Sequence, residues 1–186
     1  MGEENLSSVN IKRCNMFNID ISFDDISIMN VEKEDIFKIK NWINNQQNFD
    51  IEDGLNYGIK EFYERYLEYY VSEGEYFLKV LCGSELIGII KGRIEFKNPN
   101  EVWIMCYLIE FKLYGDKIST TIINEFLKHL YDNYGISNFY TFVSANNQDM
   151  LKLWKNNNFE IIRVTNSFLE LDDEEKDILI LEKILQ

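Results

Sequence analysis

Between Glu75 and Ser144 the chain changes its hydrophobic period twice, and that change limits the fold more than any other feature. Glu75–Cys82, Glu85–Phe96 and Glu101–Phe111 are apolar runs of strand length. Gly83-Ser84 separates the first pair, and Lys97-Asn98-Pro99-Asn100, which holds the sole proline, separates the second. Both separators are turn signals. Gly115 then interrupts, and Ile118, Ile122, Ile123, Phe126, Leu127 and Leu130 recur at the spacing of one helical face. Gly135 ends that helix, and Asn138–Ser144 returns to strand character. Strands joined by tight turns are antiparallel neighbours, whereas a strand–helix–strand unit brings in a parallel one. The predicted product is one mixed sheet with helices on both faces.

The flanking sequence extends this plan. Residues 17–23 alternate apolar and polar, Asp24-Asp25 interrupts, and Ile26–Val31 reads as a further strand. Ile36, Ile39 and Ile43 mark a helix over Glu32–Asn45. A polar loop containing Gly54 follows. Ile59, Phe62, Tyr63, Tyr66, Leu67 and Tyr70 then stripe a second helix. Asp149–Asn157 reads as a short helix, and Phe159–Leu171 and Asp177–Leu185 as strands. The expected class is α/β (α+β), with a mixed, largely antiparallel sheet of about six or seven strands and about four helices. Residues 1–25 read as an N-terminal extension before a domain over 26–186. The stretch 17–23 reads as an extra edge strand, a dimer contact or a lid.

Charge and cysteine usage narrow the function. The net charge is −13, which disfavours a nucleic-acid surface, because phosphate neutralisation needs clustered Lys and Arg. The same field favours a cationic small molecule over an anionic one. No apolar run approaches the roughly 20 residues of a membrane span, and the N-terminus lacks the order of a secretory signal. Cys14, Cys82 and Cys106 are scattered; the last two sit in apolar runs and are expected to be buried thiols in a reducing, cytoplasmic setting. No Cys/His cluster has the spacing of a metal site. His129 is the only histidine, and its place late in a helix suits a surface or capping role. The expected assembly is a monomer or homodimer.

Two segments carry a family resemblance. The first is Leu108-Ile109-Glu110-Phe111-Lys112-Leu113-Tyr114-Gly115-Asp116-Lys117-Ile118-Ser119. It resembles the loop of GNAT-superfamily acyltransferases, in which a strand ends and an Arg/Gln-x-x-Gly-x-Gly/Ala pattern opens a helix. Tyr114 stands at the Arg/Gln position, Lys117 at a glycine and Ser119 at the Gly/Ala position. The second is Asn147-Gln148-Asp149-Met150-Leu151-Lys152-Leu153-Trp154-Lys155-Asn156-Asn157-Asn158-Phe159. It resembles the same superfamily's Asn-x-x-Ala-x-x-Leu-Tyr-x-x-x-Gly-Phe, with Met150, Trp154 and Asn158 in place of Ala, Tyr and Gly. The helix around Ile39-Lys40-Asn41-Trp42-Ile43 resembles the first helix of aminoglycoside 6'-acetyltransferases and of ribosomal-protein N-terminal acetyltransferases.

The resemblance implies direct transfer of an acetyl group from acetyl-CoA, as co-substrate, to a primary amine. Ile109, Phe111, Tyr114, Gly115, Asp116, Lys117, Ile118, Ser119, Asn147 and Trp154 would then hold the donor. A helix N-terminus with unpaired N–H groups suits a pyrophosphate, and Lys112 stands near it. Lys117 and Asp116 depart from the pattern, the first by adding a Cβ and the second by adding a carboxylate beside a phosphate. Glu101 and Glu110 are equal candidates for the base that takes the amine proton. Trp154 stands where the superfamily has a proton-donating tyrosine, and an indole N–H has no useful acidity. Tyr107, Tyr114, Tyr140 or solvent remain as proton sources. The loop 44–57, with Asp50, Glu52, Asp53 and Tyr57, suits a small cationic amine through charge pairing and cation–π contact. The alternative is a catalytically degenerate GNAT-like module that binds acyl-CoA or a protein.

Overall fold

The computed structural model describes residues 18–46, 59–97, 99–113, 116–171 and 174–186. Its first strands are β1 (Asp20–Phe23) and β2 (Ile26–Asn30), followed by helices α1 (Asp35–Asn45) and α2 (Ile59–Val71). Then come β3 (Glu75–Cys82), β4 (Glu85–Glu95), β5 (Glu101–Ile109), a 3-10 turn (Phe111–Leu113) and α3 (Lys117–Tyr134). The chain closes with β6 (Asn138–Ser144), α4 (Gln148–Asn156), β7 (Glu160–Leu171) and β8 (Glu174–Ile184). All eight strands form one sheet in the order β1-β2-β3-β4-β5-β6-β8-β7. The β5–β6 pair is parallel and every other pair is antiparallel.

The expected mixed, largely antiparallel sheet with four α-helices is present, with one strand more than the upper expected count. The addition is β1, which pairs with β2 across a two-residue turn. Asp24 takes the left-handed conformation there, with φ 45, which a short polar side chain tolerates. Residues 20–23 are thus an edge strand; residues 1–17 and Cys14 lie outside the described residues. β5 stops at Ile109 rather than Phe111, which enters the 3-10 turn.

The sheet separates two cores. Ile36, Ile39 and Ile43 of α1 and Phe62 and Tyr66 of α2 cover Phe77, Ile89 and Leu108. On the other face Ile122, Ile123, Phe126, Leu127 and Leu130 of α3 and Leu153 and Trp154 of α4 cover Leu78, Ile90, Ile104, Tyr107 and Phe139. A buried phenylalanine such as Phe126 contributes about 3–5 kcal/mol against truncation to alanine. Gly135 ends α3 in the left-handed region, with φ 64, and its N–H returns to Leu130 O and Tyr131 O.

Cys82 corrects an expectation. It ends β3 beside the hairpin turn and is exposed, because the last rung before a turn has no layer above it. Cys106 is half-buried. Among the described residues no helix is long and apolar enough to cross a membrane, and no cluster of His, Cys, Asp and Glu has the arrangement of a metal site.

Candidate functional site

The two halves of β5 have different neighbours. Glu101–Ile104 pair with Asn138–Thr141 of β6. At Met105 the β4–β5 register shifts: Lys91 faces Cys106 and Gly92 faces Ile104, so Met105 is the extra residue of a bulge. Bulges bend a strand and end pairing. Beyond this bulge β5 keeps β4 on one side and, among the described residues, has no strand on the other, while Phe142–Ser144 continue along β8. A wedge-shaped cleft therefore opens between Met105–Ile109 and the end of β6. Thr141 closes its narrow end, with its hydroxyl donating to Ile104 O at 2.9 Å.

The register shows which backbone groups face the cleft. The Glu110 amide donates to Ile87 O at 2.8 Å, and Ile109 lies opposite Gly88. In an antiparallel pair, residues that exchange hydrogen bonds alternate with residues that do not. Glu110, Leu108 and Cys106 therefore turn their backbone groups to β4. Ile109 and Tyr107 turn theirs to the cleft.

The wide end of the cleft meets α3. Asp116 caps this helix, its Oδ1 accepting the Lys117 N–H at 2.6 Å. A carboxylate thus occupies the first of the N–H groups that a helix leaves unpaired. Lys117 is exposed. Lys112 pairs with Glu110 at 2.7 Å, and that carboxylate holds the lysine above its usual pKa. The two cations and two anions among residues 110–113 and 116–119 cancel. Ser119 is fully buried, and Tyr107 reaches its carbonyl at 3.1 Å and its hydroxyl at 3.2 Å. The serine hydroxyl therefore faces the core, while its N–H belongs to the first turn of α3. Tyr114 and Gly115 lie outside the described residues, and for Phe111 only the backbone is described.

Asn147 caps α4, its side-chain oxygen accepting the Met150 N–H at 3.1 Å. Trp154 is buried at 1% exposure, packed edge-on to Tyr107 with centroids 5.8 Å apart and to Phe159 at 4.9 Å. Among the described residues its Nε1–H has no hydrogen-bond partner. Asn158, in place of the pattern's glycine, takes the left-handed conformation, with φ 61, which asparagine tolerates better than most residues.

The two candidate bases sit at opposite ends of β5, roughly 30 Å apart on a strand rising about 3.3 Å per residue. Glu110 is beside the wide end, paired with Lys112. Glu101 is at the paired end, 2.9 Å from Lys97, which also holds Glu95 at 2.6 Å. Lys97 holds Glu95 below the usual carboxylate pKa, an effect that burial partly opposes. The phenols are separated as well. Tyr107 is committed to Ser119. Tyr140 stacks on Trp103 at 5.0 Å, and burial followed by its bond to Glu182 pushes its pKa up to about 12. Asp50, Glu52, Asp53 and Tyr57 lie outside the described residues. His129 lies in α3 with Nδ1 3.3 Å from Asn133 Nδ2, and burial lowers its pKa.

Sequence spacing does not single out Met105, Thr141 or the Tyr107–Ser119 contact. The one legible trace is Thr141, a hydroxyl where β6 otherwise turns Phe139 and Val143 into the core.

Known proteins share this architecture. The structure matches the acetyltransferase of Salmonella typhimurium that modifies the N-terminal serine of the 50S ribosomal subunit protein L7/L12, with a TM-score of 0.79 at 13% identity, over 88% of this chain and 97% of that one. It matches the spermidine N-acetyltransferase of Vibrio cholerae, solved with CoA and spermine, with a TM-score of 0.73 at 17% identity, over 86% and 95% of the two chains. The ribosomal-protein-S5-alanine acetyltransferase of Vibrio fischeri gives 0.70 at 12% identity, over 90% and 97%. These likenesses establish the fold. No curated protein matches the sequence. The family model of the acetyltransferase (GNAT) domain matches residues 28–180, and the chain belongs to the GNAT acetyltransferase family.

Proposed function

We propose that this protein transfers an acetyl group from acetyl-CoA to a primary amine of a small cationic acceptor by direct attack. The observation that carries the reading is the cleft beyond Ile104 and Thr141, which runs from a bulged strand to a helix N-terminus. An extended amide chain such as pantetheine adds to a strand that lacks a neighbour, through the backbone groups of Ile109 and Tyr107. The first turn of α3 offers the N–H groups of Ile118 and Ser119 to a pyrophosphate. The Trp154 N–H, unpaired among the described residues, fits a site completed by a ligand. Asn147 and the residues from Ile109 to Ser119 that frame the loop, Tyr114 and Gly115 included, are the proposed donor-binding set.

Glu110 and Glu101 remain the proposed bases. Glu110 adjoins the wide end and Glu101 the Lys97 cluster, so their alanine variants separate the two. Asp50, Glu52, Asp53 and Tyr57 are proposed to receive the amine. The negative charge of the chain supports a cationic acceptor, and the Vibrio cholerae neighbour is a spermidine N-acetyltransferase. A cytoplasmic location suits such a reaction.

A second reading has its own observation. The Asp116 carboxylate on the Lys117 N–H opposes a phosphate, as expected of a module that has lost catalysis. Release of CoA thiol from acetyl-CoA, measured across polyamines, aminoglycosides and short peptides, separates the two. Turnover with an amine supports the enzyme. Donor binding without turnover on any acceptor supports the degenerate module.

A further inference from the structure

The sheet has two edges, and they are built differently. β1, at one edge, is four residues long and exposes Asp20 and Ser22. β7, at the other, is 12 residues long. Its first half exposes three β-branched apolar residues, Ile161 at 39%, Ile162 at 51% and Val164 at 52%. An edge strand carries a row of unpaired N–H and C=O groups, and apolar side chains beside them make a template for another strand. The charges on this edge are unbalanced as well. Glu160 lies directly opposite Glu182 of β8, and like charges across a strand pair repel. Among the described residues neither Glu160 nor Arg163 forms an ion pair. In a regular strand, residues three apart point to opposite faces. Here Ile161 faces Leu181 and Arg163 faces Ile180, so Ile162 is the extra residue of a bulge. Glu160 and Arg163 therefore share one face of the sheet, and Ile161 and Val164 share the other.

We propose that the β7 edge is the contact with a second copy of this chain, two β7 strands running antiparallel about a two-fold axis between Ile161 and Ile162. A two-fold contact uses one patch on both copies, so each unlike pair across it forms twice. An axis at this point sets Glu160 against the partner's Arg163 and Arg163 against the partner's Glu160, all on one face. It brings Ile161 onto the partner's Ile162 on the other face. Each Glu160 then gains a cation that offsets Glu182. Moving the axis onto Glu160 or onto Arg163 would set like charges together, so the charges select one register. The bulge makes the pattern self-complementary, because without it Glu160 and Arg163 would lie on opposite faces. Burial of the apolar residues drives the association, while the charges fix its register and disfavour other partners. This contact does not depend on the acyl-CoA reading.

Analytical ultracentrifugation of the full chain and of charge-reversed variants tests the proposal. The wild type should sediment as a dimer at micromolar concentration. Glu160→Arg gathers four positive charges at the axis and Arg163→Glu four negative ones. Each should raise the dissociation constant at least about tenfold, with the circular dichroism of the wild type, since both side chains are exposed. An equimolar mixture of the two variants should dimerise again, because the positive pair of one meets the negative pair of the other. The double variant E160R/R163E should dimerise on its own. A wild type that stays monomeric at the highest attainable concentration overturns the proposal. So does a dimer that both single reversals leave intact, or a mixture that stays monomeric. If a reversal does not fold, Glu160→Gln and Arg163→Gln, which keep the side-chain shape, should each weaken the dimer. Undiminished association of both glutamine variants would then overturn it.

Discussion

The two halves of β5 share one partner in β4 and differ in what lies on their other side. Glu101–Ile104 are locked between β4 and β6, whereas Met105–Ile109 border the cleft. Apolar content does not explain the difference, since both halves bury residues in the same core: Val102 and Ile104 from one, Tyr107 and Ile109 from the other. The cause is local geometry. A bulge at Met105 bends β5 while β6 continues along β8. The first half gives the sheet its continuity, and the second offers backbone groups that a ligand can engage.

Changes at the junction should disturb this contrast most. Gly92 faces Ile104, and a Cβ there would lie 2.0 Å from Trp103 O and 2.3 Å from the Tyr76 hydroxyl. Gly92→Ala should therefore destabilise the protein by about 1–3 kcal/mol or more, as overpacked sites do, measured by urea denaturation. Thr141→Val leaves the Ile104 carbonyl without its side-chain donor. It should cost about 1–3 kcal/mol, and Thr141→Ser should recover most of that loss in the same denaturation experiment.

Smaller effects sharpen the comparison at either end of the strand. Asp116→Asn keeps an N-cap and removes a charge from the wide end. It should tighten CoA binding about 2–5-fold at low salt, the range of one charge at a helix end, and calorimetry at two salt concentrations should show the gain shrink as salt rises. Weaker binding would mean that Asp116 supports the donor site. At the paired end, burial and the bond to Glu182 push the Tyr140 pKa from an ordinary 10.0 up to about 12. A raised folded-state pKa contributes stability that is present below about pH 10 and lost as pH rises towards 12. Tyr140→Phe should flatten the fall in stability over that window, followed by denaturation at stepped pH.

The sequence foreshadows the fold well where local signals agree. β3 and β6 begin and end at the predicted residues, because turn residues bracket clear apolar runs. Gly135 closes α3 as expected, since a left-handed cap is a local demand. Prediction weakens where tertiary context decides. Cys82 lies in an apolar run, yet the end of its strand is uncovered. Glu101 and Glu110 are chemically equal in sequence, and only the strand separates them. Ser119 matches a loop pattern by position, while helix phase turns its hydroxyl to Tyr107. The cleft is a tertiary event, set by a bulge that no spacing announces.

Amide hydrogen exchange with and without acetyl-CoA tests the central claim most directly. The account predicts strong added protection at Ile109 and Tyr107 and in the first turn of α3, with Glu101–Ile104 unchanged because β6 already pairs with them. No added protection along Met105–Ile109, or protection confined to Glu101–Ile104, would contradict it.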